Sequence, residues 1–114
     1  MHKRDIKLYL DDILDSINAI KDFTKGIEYN FFVNDRKTYS ATLREFIVIG
    51  EAISKIDDSF KTNYPDIDWK IIKDFRNFIV HEYFGVDPKI VWDAVQFEID
   101  ELDKNISTIK NELL

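Results

Sequence analysis

Apolar residues recur every three or four positions along nearly the whole chain, which is the spacing of one face of an α-helix. The first stripe occupies residues 6–20, with aspartates and lysines on the opposite face, and Gly26 closes this helix or follows it closely. A second stripe occupies residues 39–56, and its helix should end before residues 63–65, because proline disfavours helix at the residue before it. The apolar patch at residues 31–35 ends in cap-type residues that introduce this second helix.

A third stripe predicts a helix that begins near Asp66 or Asp68 and runs to about Tyr83. Gly85 fits the left-handed position just past the end of that helix. Residues 87–88, an aspartate and a proline, then look like an N-cap and the first residue of the next helix, where proline loses no hydrogen bond. The sequence therefore predicts both ends of the third helix.

The last stripe is the most regular in the chain, and its members step by three or four residues: Val91, Val95, Ile99, Leu102, Ile106, Ile109 and Leu113. Four amphipathic helices with short connections predict an all-α protein, an up-and-down four-helix bundle with room for a short extra helix. The chain shows no internal repeat or linker, so residues 1–114 are expected to form a single helical domain. We expect the last helix to serve the core on one face and a dimer interface on another.

The composition predicts a folded domain that uses neither thiols nor membrane insertion. Of the 114 residues, 45% are hydrophobic and 33% are charged, with three glycines, two prolines and no cysteine. A disulfide scaffold, a thiolate metal site and thiol catalysis are excluded in this chain. With two histidines, one of them at position 2, a zinc site is not expected. The charged N-terminus and the lack of a long apolar run predict a cytoplasmic protein with no membrane span.

Charge is unevenly distributed along the chain. The net charge is −6, which argues against coating nucleic acid through a broad basic surface. Residues 69–81, however, carry three cations against one carboxylate, for a net of +2, whereas residues 98–114 carry five carboxylates against two lysines, for a net of −3. The third helix is therefore a small cationic patch in an acidic protein.

One constellation in this patch suggests chemistry, namely Arg76 and Asn77 followed by His81. Asn77 and His81 are four residues apart and share a helix face, so the amide could orient the imidazole. Arg76 lies about 140° round the helix and about 7.5 Å along it from His81. The two side chains meet at one phosphate only if the arginine wraps round or reaches a second subunit, so the spacing predicts a composite site at a two-fold interface.

These side chains suit metal-independent cleavage of RNA. An imidazole can take the proton from a 2′-hydroxyl, and a guanidinium can hold the phosphate and stabilise charge on its oxygens, which would leave a 2′,3′-cyclic phosphate. Lys70 and Lys73 on the same helix are then candidate RNA-binding residues. Taken alone, the pattern also fits a surface arginine and a half-buried histidine that caps the helix.

Residues 76–92 closely resemble the HepT-like family of HEPN-domain proteins. The mark of that family is arginine, a polar residue, three mostly apolar residues, histidine, any residue, then tyrosine. Residues 5–14 are similar to the first helix of the family, Arg44 with residues 49–52 to its second, and residues 65–69 to the start of its third. The resemblance therefore extends over nearly the whole chain, with no departure in the core motif.

The resemblance implies a HEPN-like helix bundle that dimerises and acts as the toxin of a type VII-like toxin–antitoxin pair. By analogy, Arg76 would hold the scissile phosphate, His81 would be the general acid and base, and Asn77 would orient them. The antitoxin of this family is a minimal nucleotidyltransferase of the MntA type, which transfers AMP to the tyrosine of the motif, here Tyr83. ATP and magnesium would belong to that partner, and this chain would need no cofactor of its own.

Several side chains have both a structural and a functional interpretation. Tyr83 could close the helix with its ring on the core instead of accepting a nucleotide. Gly50 in mid-helix suggests a close helix approach more than catalysis, and Glu51 is either a structural ion-pair partner or a residue that supports the site. Trp69 and Trp92 are expected in the core rather than stacked on a base.

Two other functions are compatible with the sequence. A non-catalytic HEPN adaptor would present a nucleotide or substrate to a nucleotidyltransferase, with Arg76 and His81 binding rather than cutting. A purely structural dimerisation module would leave the polar motif unexplained. The intact set of Arg76, Asn77 and His81 favours the enzyme. The RNA target, assembly beyond a dimer, and inhibition by modification or by complex formation are left open.

Overall fold

Seven helices and no strand form the part of the chain that the computed structural model describes, residues 1–113. In chain order the helices are α1 (Lys3–Thr24), α2 (Tyr29–Asn34), α3 (Arg36–Lys55), α4 (Asp58–Lys61), α5 (Trp69–His81), α6 (Pro88–Phe97) and α7 (Ile99–Glu112). The prediction of an all-α fold is confirmed. The first three predicted helices correspond to α1, α3 and α5, and the fourth is divided into α6 and α7. The short helices α2 and α4 are additions between them.

Aspartate side chains begin three of the helices. The carboxylates of Asp35, Asp68 and Asp87 each accept a backbone N–H from the first turn of α3, α5 and α6, at 3.3, 3.0 and 2.9 Å. Each bond satisfies a donor that the helix itself leaves unpaired. Pro88 stands at the start of α6, as predicted, and Asp68 rather than Asp66 caps α5.

The end of α5 differs from the sequence-based expectation. The helix ends at His81, and Glu82 donates its backbone N–H to the carbonyl of Phe78 at 2.9 Å. The predicted left-handed conformation of Gly85 is wrong, because among the described residues only Gly26, with φ +71°, has a positive φ. The N–H of Gly85 instead donates to the Glu82 carbonyl at 2.7 Å. The chain thus leaves α5 through a tight turn that needs no left-handed residue.

Two predicted helices are shorter than their apolar stripes. Helix α3 ends at Lys55, because Ile56 follows in an extended conformation and still reaches the core, and residues 58–61 form the separate α4. The last stripe is interrupted at Glu98, between α6 and α7. Two successive steps of four residues would carry the stripe about 80° round an uninterrupted helix. The break keeps the apolar faces of both segments on the core, including Val91 in α6.

The core lies around α1 and α3, which pack against each other, with α7 packed on α1 and α5 packed on α3. The fully buried side chains are mostly isoleucines: Leu10, Ile13, Ile17, Ile20, Phe32, Leu43, Ile49, Ile53, Ile79, Val91, Ile106 and Ile109. Burying one such side chain stabilises the fold by roughly 1.5–3 kcal/mol. Within α5 only Ile79 is fully buried, so this helix lies at the edge of the bundle with its outer surface open.

The cap of α5 gives a direct test of this arrangement. Replacing Asp68 by alanine removes the carboxylate that accepts the Ile71 N–H, and we expect the free energy of unfolding to fall by about 1 kcal/mol. Urea denaturation followed by circular dichroism measures this change. The matched control is Asp66→Ala, because Asp66 is exposed nearby and its side chain caps no helix. Equal losses in the two variants would contradict the cap.

Candidate active site

The residues of the candidate site lie on the second half of α5 and in the turn that follows it. Arg76 and Asn77 are half-buried, His81 is the exposed last residue of the helix, and Tyr83 is exposed in the turn beyond. The local motif is therefore presented at the end of an edge helix, next to solvent.

Gly50 allows α5 to approach α3 closely at Arg76. A Cβ atom built on Gly50, which is buried, would overlap the Cβ and Cγ atoms of Arg76. A glycine in mid-helix costs about 1 kcal/mol relative to alanine, and this close approach is the structural reason for it. The prediction of a close helix approach at Gly50 is confirmed.

The Arg76 guanidinium is held by two neighbours. Its Nη2 forms an ion pair with Oε1 of Glu51, and its Nη1 donates to Oδ1 of Asn77 at 2.5 Å. Its Nε is buried and has no hydrogen-bond partner within residues 1–113. Glu51 is thus the ion-pair partner of the motif arginine, and the two interpretations of this residue converge on one contact. The two terminal nitrogens of the arginine, Nη1 and Nη2, each carry a second N–H group that can donate to a phosphate oxygen.

His81 stands apart from this cluster. Within the described chain no hydrogen bond joins it to Asn77, whose side-chain oxygen is used by Arg76. The structure therefore places Asn77 as an orienting partner of Arg76, while the imidazole of His81 is open to solvent. One copy of the chain brings together Glu51, Arg76 and Asn77. His81 lies apart from them, at the C-terminal end of α5.

Tyr83 projects into solvent, with 39% of its surface exposed, and its ring packs edge-on against the ring of Phe84 at 5.5 Å. Tyr39, on α3, lies close by: its hydroxyl donates to the Val86 carbonyl at 3.4 Å. Burial raises the pKa of Tyr39, and the nearby charge of Asp87 raises it further. Sequence reasoning missed this neighbour, because nothing local links position 39 to the turn after α5.

The two candidate RNA-binding lysines share the outer side of α5 but differ in their partners. Lys70 Nζ pairs with the Asp74 carboxylate at 2.6 Å, and this contact raises the pKa of Lys70. Lys73 is exposed and forms no ion pair within the described chain. Spacings of three and four residues place Lys70, Lys73 and Asn77 along one side of the helix. A row of polar and cationic groups therefore leads toward His81.

The two tryptophans belong to the packing of the bundle. The indole N–H of Trp69 donates to the Tyr64 carbonyl at 3.1 Å, and the ring of Trp92 lies 5.0 Å from the ring of Phe32. Both side chains are half-buried against the core. The core interpretation of the tryptophans is confirmed.

Residues 1–113 contain neither a metal-binding cluster nor a helix that could span a membrane. No three His, Asp or Glu side chains are grouped there so that they could hold a metal ion. No helix in this range is both long enough and apolar enough to cross a bilayer.

Together the fold and the site define a class, an all-α domain of the HEPN type with its polar motif at the end of an edge helix. The family model described as "Ribonuclease HepT-like" matches residues 13–109, which include all the motif residues. The chain belongs to the HepT-like ribonuclease family.

Individual relatives agree with this assignment. The chain is 37% identical over 109 residues to "Putative RNase MJ1380" of Methanocaldococcus jannaschii, which covers 96% of this chain and 100% of the relative. It is 40% identical over 113 residues to "Putative RNase MJ1216" of the same organism, covering 99% and 93% of the two chains. It is 39% identical over 100 residues to "Probable ribonuclease HepT" of Thermococcus cleftensis, covering 88% and 91%. No solved structure matches the chain.

The close approach at Gly50 predicts the effect of the smallest possible substitution. In Gly50→Ala the new Cβ falls on atoms of Arg76 that lie close to the α5 backbone, so α5 must shift off α3. Because the new Cβ overlaps two atoms of Arg76, overpacking should cost about 2–3 kcal/mol, the upper part of the usual range, and the helix propensity of alanine offsets about 1 kcal/mol. We expect a net loss of about 1–2 kcal/mol in the free energy of unfolding, measured by urea denaturation.

The control for this substitution is Gly85→Ala. There a Cβ would meet its nearest atom, the Glu82 carbonyl oxygen, at 3.8 Å, which is ordinary contact. A Gly50→Ala variant as stable as Gly85→Ala would contradict the close approach.

Proposed function

We propose that this HepT-like protein is a metal-independent endoribonuclease that acts as the toxin of a toxin–antitoxin pair. The observation that carries the proposal is the arrangement at the end of α5. The Arg76 guanidinium is positioned by Glu51 and Asn77, and an exposed imidazole, His81, lies at the C-terminal end of the same helix. Membership of a ribonuclease family supports RNA as the substrate.

The proposed reaction follows from the chemistry of these two side chains. The imidazole of His81 accepts the proton of a ribose 2′-hydroxyl, and the 2′-oxygen attacks the adjacent phosphorus. The bond from phosphorus to the 2′-oxygen forms and the bond to the 5′-oxygen breaks, while an imidazolium protonates the departing oxygen. The Arg76 guanidinium stabilises the charge that develops on the phosphate oxygens. The products are a 2′,3′-cyclic phosphate and a 5′-hydroxyl, and the chain supplies every group without a cofactor.

The proposed active form is a homodimer with a composite site. Arg76 and His81 point in directions that diverge by about 140° on an ideal helix, so a second copy would complete the site. Support comes from the position of α5 at the edge of the bundle and from the exposed apolar side chains beside the motif, namely Val80, Tyr83 and Phe84. Lys70 and Lys73 would extend the contact with RNA. We expect the protein to act in the cytoplasm.

Cleavage of single-stranded RNA in the presence of EDTA tests the catalytic assignment. We expect His81→Ala to lower the cleavage rate by at least about 100-fold, the usual scale for a general acid or base. Analysis of product ends should show the 2′,3′-cyclic phosphate. The matched control is His2→Ala, because His2 is the other histidine of the chain and lies at the start of α1, where the change should leave the rate unaltered.

The results separate the competing functions. Intact RNA with the wild-type protein, or equal cleavage by His81→Ala, would contradict the enzyme. RNA that binds without being cut would favour the non-catalytic adaptor, in which Arg76 and His81 serve binding. A protein that neither binds nor cuts RNA would fit a structural dimerisation module.

We also propose that an MntA-like nucleotidyltransferase neutralises the protein by transferring AMP from ATP, with magnesium, to the hydroxyl of Tyr83. The tyrosyl oxygen would attack the α-phosphorus of ATP, with pyrophosphate as the leaving group. The exposure of Tyr83 two residues after His81 supports this proposal. A nucleotide at that position would block RNA by its bulk and repel it through the charge of its phosphodiester.

Mass spectrometry after co-expression with such a partner tests the modification. We expect the mass of the chain to rise by one or more AMP units, and the adduct to disappear in Tyr83→Phe. Tyr29→Phe is the matched control and should be modified like the wild type. An unchanged mass, or an adduct that persists in Tyr83→Phe, would refute this site.

A further inference from the structure

An apolar groove with a volume of 540 Å³ lies between α5 on one side and α6 and α7 on the other; we call it the α5–α7 groove. The buried side chains of Phe46 and Ile49, both on α3, line its inner wall. Three side chains along it are unusually exposed for their type: Ile71 at 63%, Ile90 at 46% and Phe97 at 73%. Large apolar side chains that converge on one concave surface are typical of an interaction site.

The rim of the α5–α7 groove is acidic. Five carboxylates line it, and no lysine, arginine or histidine of the described chain does: the acidic residues are Asp66, Asp68, Asp93, Glu98 and Glu101. Asp68 caps α5 and Asp93 pairs with Lys89 at 2.9 Å. The side chains of Asp66, Glu98 and Glu101 form no ion pair or hydrogen bond within residues 1–113. The groove therefore combines exposed apolar surface with unneutralised negative charge.

This groove is separate from the candidate active site. None of Arg76, Asn77, His81 or Tyr83 lines it. Phe75, which does, is two residues from Asn77 and therefore points about 160° away from it round α5. A molecule bound in the groove would leave the polar side of α5 uncovered, so the groove calls for an occupant other than the RNA of the proposed function.

The negative charge of the rim indicates which kind of molecule the groove would bind. If two copies of the chain paired groove to groove about a two-fold axis, each carboxylate would face the same acidic rim of the other copy, and like charges would oppose association. A basic partner would instead be attracted to the rim, because its lysines or arginines would pair with the carboxylates while its apolar residues fill the groove. The open, helix-bounded shape suits an amphipathic helix laid between α5 and α7.

We propose that the α5–α7 groove binds a basic amphipathic helix of a partner protein. The apolar face of that helix would contact Ile71, Ile90 and Phe97, and its flanking cations would contact Glu98, Glu101 and Asp66. The surface is independent of RNA cleavage and goes beyond the proposed function.

A designed peptide serves as the probe. It has roughly 18 residues, enough to form a helix in water, with leucines at helical spacing and lysines on both sides of the leucine face. A second peptide carries glutamate in place of every lysine. Fluorescence anisotropy with the full chain should show saturable binding of the lysine peptide, weakened by added salt, and no binding of the glutamate peptide.

Charge reversal at the rim is the decisive variant. We expect the double variant Glu98→Lys with Glu101→Lys to bind the lysine peptide at least about tenfold more weakly. It should also bind the glutamate peptide, which the wild type does not. The matched control reverses two exposed carboxylates of α1, Asp12→Lys with Asp15→Lys, which changes the net charge equally and should alter binding by less than about twofold.

A second pair of variants tests the apolar contact. Phe97→Ser should weaken binding of the lysine peptide. Leu8→Ser, which removes an exposed side chain of α1, should leave that binding unchanged. Because both positions are exposed, circular dichroism should show folded protein in each case. His81→Ala should bind the peptide like the wild type, so failure of the ribonuclease proposal would not affect this result.

Three results would overturn the proposal. They are equal weakening by the rim and α1 charge reversals, absence of saturable peptide binding, and a change of oligomeric state in Phe97→Ser measured by sedimentation velocity. The last result would show that a second copy of the chain covers the groove.

Discussion

The close approach of α5 to α3 at Gly50 is the constraint on which the arrangement of the site depends. Without a side chain at position 50, the stem of Arg76 lies directly against α3, and the next residue of α3, Glu51, meets its guanidinium. Steric fit and ion pairing thus come from two adjacent positions of one helix. A wider spacing between the two helices would separate the guanidinium from Glu51. Asn77 would then be its only partner, and the guanidinium would be less firmly positioned.

Helices with a continuous apolar stripe and a capping aspartate were predictable, because both signals are local. The stripe of α1 and the caps of α3, α5 and α6 are examples. The break at Glu98 and the early end of α3 depend on how each stripe meets the core, which spacing along one helix does not encode. Gly85 shows the same limit, since its conformation follows from the turn at Glu82 and not from residue type alone.

Some features of the candidate site also follow from the local sequence, whereas others depend on the fold. Arg76, Asn77, His81 and Tyr83 lie within eight residues of one another, so their grouping could be predicted from the sequence. The contact with Glu51 joins two helices and required the fold to be known. The acidic groove is more distant still from any sequence signal, because its rim is assembled from the loop before α5, from α6, and from the start of α7.

The pairing of Glu51 with Arg76 also has a consequence for selectivity among anions. A carboxylate tethered beside a guanidinium acts at a high effective concentration, so chloride, acetate and other weakly bound solutes compete poorly for the same N–H groups. In the proposed function, a phosphodiester whose strand is also bound elsewhere on the protein would be a stronger competitor, because its several contacts would act together. The protein thus carries its own counter-ion, which keeps the guanidinium ordered and weakens its contact with small free anions.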